Sequence, residues 1–232
     1  MSRIESEALV VRTVELGEAD VIATLVTQEA GKLSAIVRGA RKGSRRVGGA
    51  LEPVHTIAVL LEDKGAELVT LKESRIVRTR SGVVASLDAL DAAGVALRWA
   101  RHLFPPRTPE PEGWRVLVGL LDVLDEGNAA PRAELARAGL GMLSAVGYAL
   151  DLGRCVVCGR ECPESKAACI DPARGGLVCR SCGGATTVLL PEMRRAARSL
   201  VEGRTAEATP AEAETILQVV DRAMAAHAGF ER

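Results

Sequence analysis

The sequence predicts an α+β protein: a small barrel of five strands over residues 1–80, then a helical domain over residues 81–232 carrying a four-cysteine module at residues 153–186. Three observations carry this reading. Five short segments rich in aliphatic and β-branched residues fall within the first 80 residues, with turn chemistry between them. After about Ser81 the apolar spacing becomes helical. Two matched Cys-x-x-Cys-Gly pairs then stand close together in the second half.

The strands are expected at Ala8–Val14, Val21–Thr27, Lys32–Arg38, Thr56–Leu61 and Leu68–Val77. Lys32–Arg38 alternates cleanly, with Leu33, Ala35 and Val37 on one face and Lys32, Ser34, Ile36 and Arg38 on the other. Such a set suits a closed barrel of OB or SH3-like type, and the pattern leaves both open. Helices are expected over Val83–Phe104, stopped by Pro105-Pro106, then Trp114–Leu124, Pro131–Leu150 and Pro191–Val201. A last helix starts at Thr209-Pro210-Ala211-Glu212, a capping box with proline at the first helical position. Residues 1–80 contain no Phe, Trp or Tyr, so the barrel core must be aliphatic.

Hydrophobic content of 47% with 26% charged residues fits a folded globular chain. No apolar stretch reaches the roughly 18 residues that span a bilayer. The start Met1-Ser2-Arg3-Ile4-Glu5 does not read as a signal peptide. The expectation is a soluble cytoplasmic, nucleoid-associated protein whose cysteines are thiols or metal ligands, not disulfides.

Cys155, Cys158, Cys179 and Cys182 are the candidate ligands of one structural zinc ion. Two intervening residues let one tight turn present two thiolates to a single ion, and the glycine after each pair permits the positive φ that the turn needs. Four thiolates fill a tetrahedral shell. His55, His102 and His227 form no motif with them, so no open position and no base is expected for chemistry at the metal. Cys162 and Cys169 are surplus: the first sits near enough to compete as a ligand, and the second is expected to pack as a small hydrophobe.

The stretch Arg38-Gly39-Ala40-Arg41-Lys42-Gly43-Ser44-Arg45-Arg46 holds five cations and no anion. Phosphates need cations and closely approaching backbone N–H groups, which glycine allows. Arg38, Arg41, Lys42, Arg45 and Arg46 are therefore the candidate DNA-binding residues. Without aromatics for base stacking, binding is expected to rest on phosphates, with steep salt dependence and weak sequence preference.

Gly17-Glu18-Ala19-Asp20, Thr24-Leu25-Val26-Thr27, Gly31-Lys32-Leu33-Ser34-Ala35, Arg38-Gly39-Ala40-Arg41-Lys42 and Leu51-Glu52-Pro53 together resemble the N-terminal signature of the RecO family of bacterial recombination mediators. The helices and the cysteine insertion, with Gly175-Gly176-Leu177 before its second pair, resemble the family's C-terminal part. The resemblance implies an OB-fold nucleic-acid-binding domain followed by a helical domain with a zinc module. It implies binding to single- and double-stranded DNA and strand annealing. It also implies partnership with RecR and with single-strand-binding protein, so that RecA loads on coated DNA. No motif marks a pocket for the single-strand-binding protein; Arg98, Arg101, Arg194, Arg195 and Arg198 are candidate acceptors of an acidic tail, or simply solvated helix faces.

Two other classes compete. A barrel-plus-ribbon module of transcription or translation would not need the long helical segment between its parts. A zinc hydrolase or nuclease would need clustered carboxylates with a histidine; the nearest cluster, Asp122, Asp125 and Glu126, has no such partner and reads as a solvated face.

Overall fold

Apolar side chains at every second position decide the first part of the chain. Val21, Ala23 and Leu25, then Leu33, Ala35 and Val37, all point inward, while the residues between them are half-exposed. The computed structural model describes residues 2–40, 51–127 and 130–229. Five strands, β1 (Ser2–Leu16), β2 (Asp20–Thr27), β3 (Gly31–Val37), β4 (Thr56–Asp63) and β5 (Val69–Arg78), close into a barrel in the order β1-β2-β3-β5-β4. β5 is antiparallel to β4 but parallel to β3, with Ala35 opposite Val69. That crossover out of chain order is the Greek-key closure of an OB-fold, which resolves the choice left open by the pattern.

β1 makes closure possible because it serves two neighbours. Ser2–Ala8 pair with β4 and Ala8–Leu16 pair with β2, with a bulge between Val10 and Arg12. A bulge bends a strand and increases its twist, as a barrel corner requires. The strand is longer than its apolar run, Ala8–Val14, because pairing with β4 recruits Ser2–Glu7. The enclosed core is wholly aliphatic, with Ala8, Val10, Leu25, Ala35, Ile57, Leu61 and Val69 among its members.

The chain forms two compact units, Met1–Asp125 and Glu126–Arg232. The change of apolar period near residue 80 is a different boundary. In the first unit α1 (Ser81–Ala85), α2 (Leu87–Leu103) and α3 (Pro111–Glu126) accompany the barrel. The single helix expected over Val83–Phe104 is broken at Ser86, whose hydroxyl accepts from the Ala89 N–H at 3.3 Å and so caps α2. Gly31 (φ +70°) meets the segment after α2 so closely that a Cβ there would lie 2.1 Å from the Thr108 carbonyl oxygen. The Arg107 N–H donates to the Lys32 carbonyl at 2.9 Å in the same place.

In the second unit α4 (Pro131–Ala145) ends sooner than Leu150, because the chain turns at Gly147 in the left-handed region. A small sheet follows: β6 (Asp151–Cys155), β7 (Ala168–Asp171), β8 (Gly176–Val178) and β9 (Thr187–Leu189), ordered β6-β8-β7-β9. Then come α5 (Pro191–Val201) and α6 (Pro210–Ala228), the latter opened by the expected capping box of Thr209 and Glu212. Ile170, Leu177 and Leu189 of the small sheet pack on Val219 of α6.

Candidate metal centre and the basic end of the barrel

The two cysteine pairs are brought together by backbone pairing. β6 runs parallel to β8, with Cys155 opposite Leu177, and the Val156 N–H donates to the Leu177 carbonyl at 2.8 Å. Gly176 allows this approach: a Cβ there would sit 2.4 Å from the Asp151 carbonyl oxygen. The first knuckle closes with the Gly159 N–H on the Cys155 carbonyl at 2.8 Å. The second closes with the Cys182 N–H on the Cys179 carbonyl at 2.9 Å.

The four Sγ atoms of Cys155, Cys158, Cys179 and Cys182 lie within 4.8 Å of one another. Zn–S bonds of about 2.3 Å in a tetrahedron place sulfurs about 3.8 Å apart. Cys158 and Cys179 have that separation, 3.8 Å. The donor set thus fits a zinc ion in number, chemistry and spacing. Left to themselves the thiols divide charge unequally. The Cys179 N–H, 3.3 Å from the Cys155 sulfur, leads in lowering the Cys155 thiol to about 6. Hydrogen bonds with the Cys179 and Cys158 sulfurs lead in holding Cys182 protonated, up to about 12. Cys155 ionises readily while Cys182 holds its proton, and a cation at the centre would be what draws the remaining protons off.

Cys162 stays outside the group. It packs against the apolar core of the small sheet, and burial raises its thiol above the ordinary range. None of the three histidines joins the sulfurs: His55 accepts from the Arg80 N–H, His102 pairs with Arg101, and His227 stacks on Tyr148 at 4.3 Å.

Two readings of charged residues need correction. Arg194 is not a free acceptor for a tail. Its side chain is 2% exposed, and it donates to the carbonyls of Leu152, Cys162, Pro163 and Lys166 at 2.5–2.9 Å. It ties β6 and the segment after the first knuckle to α5. Arg195 and Arg198 on the same helix are exposed, and Arg198 pairs with Glu164 at 3.1 Å. Asp122 and Asp125 are not a solvated face either. Asp122 accepts from the fully buried Arg80 at 2.7–2.8 Å and from Arg78 at 3.0 Å, and Asp125 accepts from the Gly82 N–H at 2.7 Å. Both carboxylates join α3 to the chain leaving β5.

At the barrel's other end of interest, Arg38 follows β3 and is exposed. Gly39 takes a positive φ of 67°, and its N–H donates to Asp20 Oδ1 at 2.9 Å. Asp20 belongs to the run that resembles the family signature, and its partner lies 19 residues away, which no local pattern reveals. Arg41, Lys42, Arg45 and Arg46 lie outside the described residues.

With this geometry in place, comparison with known proteins is decisive. Residues 1–80 match the family described as "Recombination protein O N terminal", and residues 84–232 match "Recombination protein O C terminal". The chain belongs to the RecO family. RecO relatives include the DNA repair protein RecO of Anaeromyxobacter sp. strain K, 37% identical over 82% of this chain and 75% of that protein. That of Myxococcus xanthus is 33% identical over 87% of this chain and 90% of its own length, and that of Geobacter sulfurreducens 36% identical over 79% and 74%. Membership of the RecO family gives the chain a role in DNA repair and recombination. No described helix is long and apolar enough to cross a membrane.

Proposed function

We propose that this chain is a non-enzymatic DNA-binding mediator of recombination, cytoplasmic and nucleoid-associated. In this reading the stretch from Arg38 to Arg46 gathers the phosphates of DNA strands and lowers their mutual repulsion, so that complementary strands anneal. RecR and single-strand-binding protein direct the complex to coated gaps, where RecA loads. One zinc ion on Cys155, Cys158, Cys179 and Cys182 holds the small sheet in shape and does no chemistry, because four thiolates leave no ligand position open.

The observation that carries the proposal is the end of β3. There a closed aliphatic barrel releases an exposed Arg38 into the stretch that contains Arg41, Lys42, Arg45 and Arg46. The membership in a DNA repair family supports phosphate as the ligand. Partnership with RecR, RecA and the single-strand-binding protein rests on the resemblance alone.

The test is a binding titration of labelled single-stranded DNA across a salt series, using wild type and a variant with Arg41, Lys42, Arg45 and Arg46 changed to Gln. Wild-type affinity should fall steeply with salt, with log–log slope growing by about 0.7 for each phosphate neutralised on a single strand. The variant should bind at least tenfold more weakly with a shallower slope. Salt-insensitive binding, or a variant equal to wild type, would refute the proposal.

A further inference from the structure

A second group of cations gathers at the opposite end of β3. Lys32 lies near the start of the strand, and its amine donates to the Arg101 carbonyl at 2.5 Å, at the last turn of α2. The Arg101 guanidinium donates to His102 Nε2 at 2.8 Å. Arg12, exposed on β1 just past the bulge, belongs to the same field: burial, then Arg101, Lys32 and Arg12, together hold the His102 imidazole below its ordinary range. Burial and Arg101 do the same to the Lys32 amine. Arg98 is exposed one turn before His102, at the spacing that shares a helix face.

Most other described cations of the first unit have carboxylate partners, though the exposed Arg3, Arg38 and Arg75 have none among the described residues. Arg78 and Arg80 pair with Asp122, Arg107 with Asp63, Arg115 with Glu112, and Lys64 and Lys72 with Glu62. Among the described residues, no carboxylate pairs with Arg12, Lys32, Arg98 or Arg101. The plain alternative is that these cations cap the negative end of α2. That accounts for Lys32, which bonds a terminal carbonyl. It does not account for Arg12, which sits on a strand, or for Arg98, a turn earlier.

We infer that Arg12, Lys32, Arg98 and Arg101 form a second phosphate-binding patch that holds the backbone of a nucleic-acid strand, separate from the stretch that follows Arg38. The inference rests on the proposed DNA binding and gives it a second contact zone. Lys32 on β3 and Arg38 just past its end are six positions apart, about 20 Å of extended chain. One rigid barrel therefore presents cations at two separated places, as holding two strands or two stretches of one strand requires. The cations come from three elements, β1, β3 and α2, and the chain's membership in a DNA repair family favours a phosphodiester backbone over an acidic peptide as their ligand.

The experiment compares the full chain with two triple variants. In one Arg12, Arg98 and Arg101 become Gln; in the other they become Lys. Binding of labelled single-stranded DNA and of an oligoglutamate peptide is measured across a salt series, and thermal unfolding checks that each variant folds. The Gln variant should lose about tenfold or more in DNA affinity, and its log–log salt slope should fall by about 2, three contacts at about 0.7 each. The Lys variant should keep most of the affinity, since phosphates respond to charge. A folded Gln variant with wild-type affinity and slope overturns the patch while leaving the Arg38–Arg46 proposal standing. So does a Lys variant that loses as much as the Gln variant. Loss of peptide binding alone assigns the surface to an acidic partner and also overturns it. Wild-type protein that fails to bind DNA removes the underlying reading and the patch with it.

Discussion

Arg194 carries more of the second unit than its place in a basic helix suggests. Burying a guanidinium is costly unless its N–H groups are satisfied, and here its two terminal NH2 groups meet four backbone carbonyls, one on β6 and three from the segment between β6 and β7, while Nε has no partner. Removing the side chain leaves those carbonyls without a donor, at about 1–3 kcal/mol for each that stays buried. Arg194→Ala should therefore destabilise the zinc-loaded chain by about 3 kcal/mol or more, read as a shift in the urea midpoint of the second unit. A loss under about 1 kcal/mol would mean that water replaces the guanidinium there. Nothing local in the sequence separates Arg194 from Arg195 or Arg198. Their roles diverge because Arg194 falls on the buried side of α5, and its partners are about 30 residues upstream. Asp122 is the same lesson: Arg80, its partner, lies 42 residues away. The clustering of the four cysteines was legible because their paired spacing is that of knuckles that converge.

At the scale of elements, β4 and β5 meet around a buried carboxylate. Glu62 lies on β4, and Lys72 of β5 leads in holding its carboxyl below the usual range, with Lys64 adding to this at 3.3 Å. A depressed carboxyl stabilises the fold at pH values above its unfolded value of about 4.3. The contribution is lost as pH falls through the lower folded value. The barrel should lose stability on acidification below about pH 4.3, and Glu62→Gln should flatten that limb of the stability curve. An unchanged acid limb in the variant, followed by pH-dependent unfolding of the first unit, would count against this role. The same strands illustrate how far local pattern reaches. β2 and β3 were readable because one face is buried and one is wet, so their side chains alternate. Ser2–Glu7 carries one apolar residue, Ile4, and becomes strand only by pairing with β4. The strands β6–β9, of three to five residues each, have too little apolar surface to announce themselves. Their order depends on turns, on Gly176 and on the sulfur cluster.

For the whole molecule, the two units rest on different physics. Among the described residues, the barrel closes on itself around thirteen buried aliphatic side chains. The small sheet of the second unit buries Ile170, Leu177 and Leu189 against α6, a modest apolar area for its length. A zinc ion on its four cysteines would supply what that core lacks; in small zinc domains such sites contribute about 10–16 kcal/mol of apparent binding free energy at neutral pH. Chelation should therefore lower the unfolding temperature of the second unit and speed amide exchange in β6–β9, Arg194's acceptor segment included. It should leave exchange in β1–β5 unchanged. DNA affinity should persist in the chelated protein, because both cation groups proposed to hold phosphate lie in the first unit. Equal loss of protection in both units, or loss of DNA binding while the barrel stays protected, would place the metal in a different role.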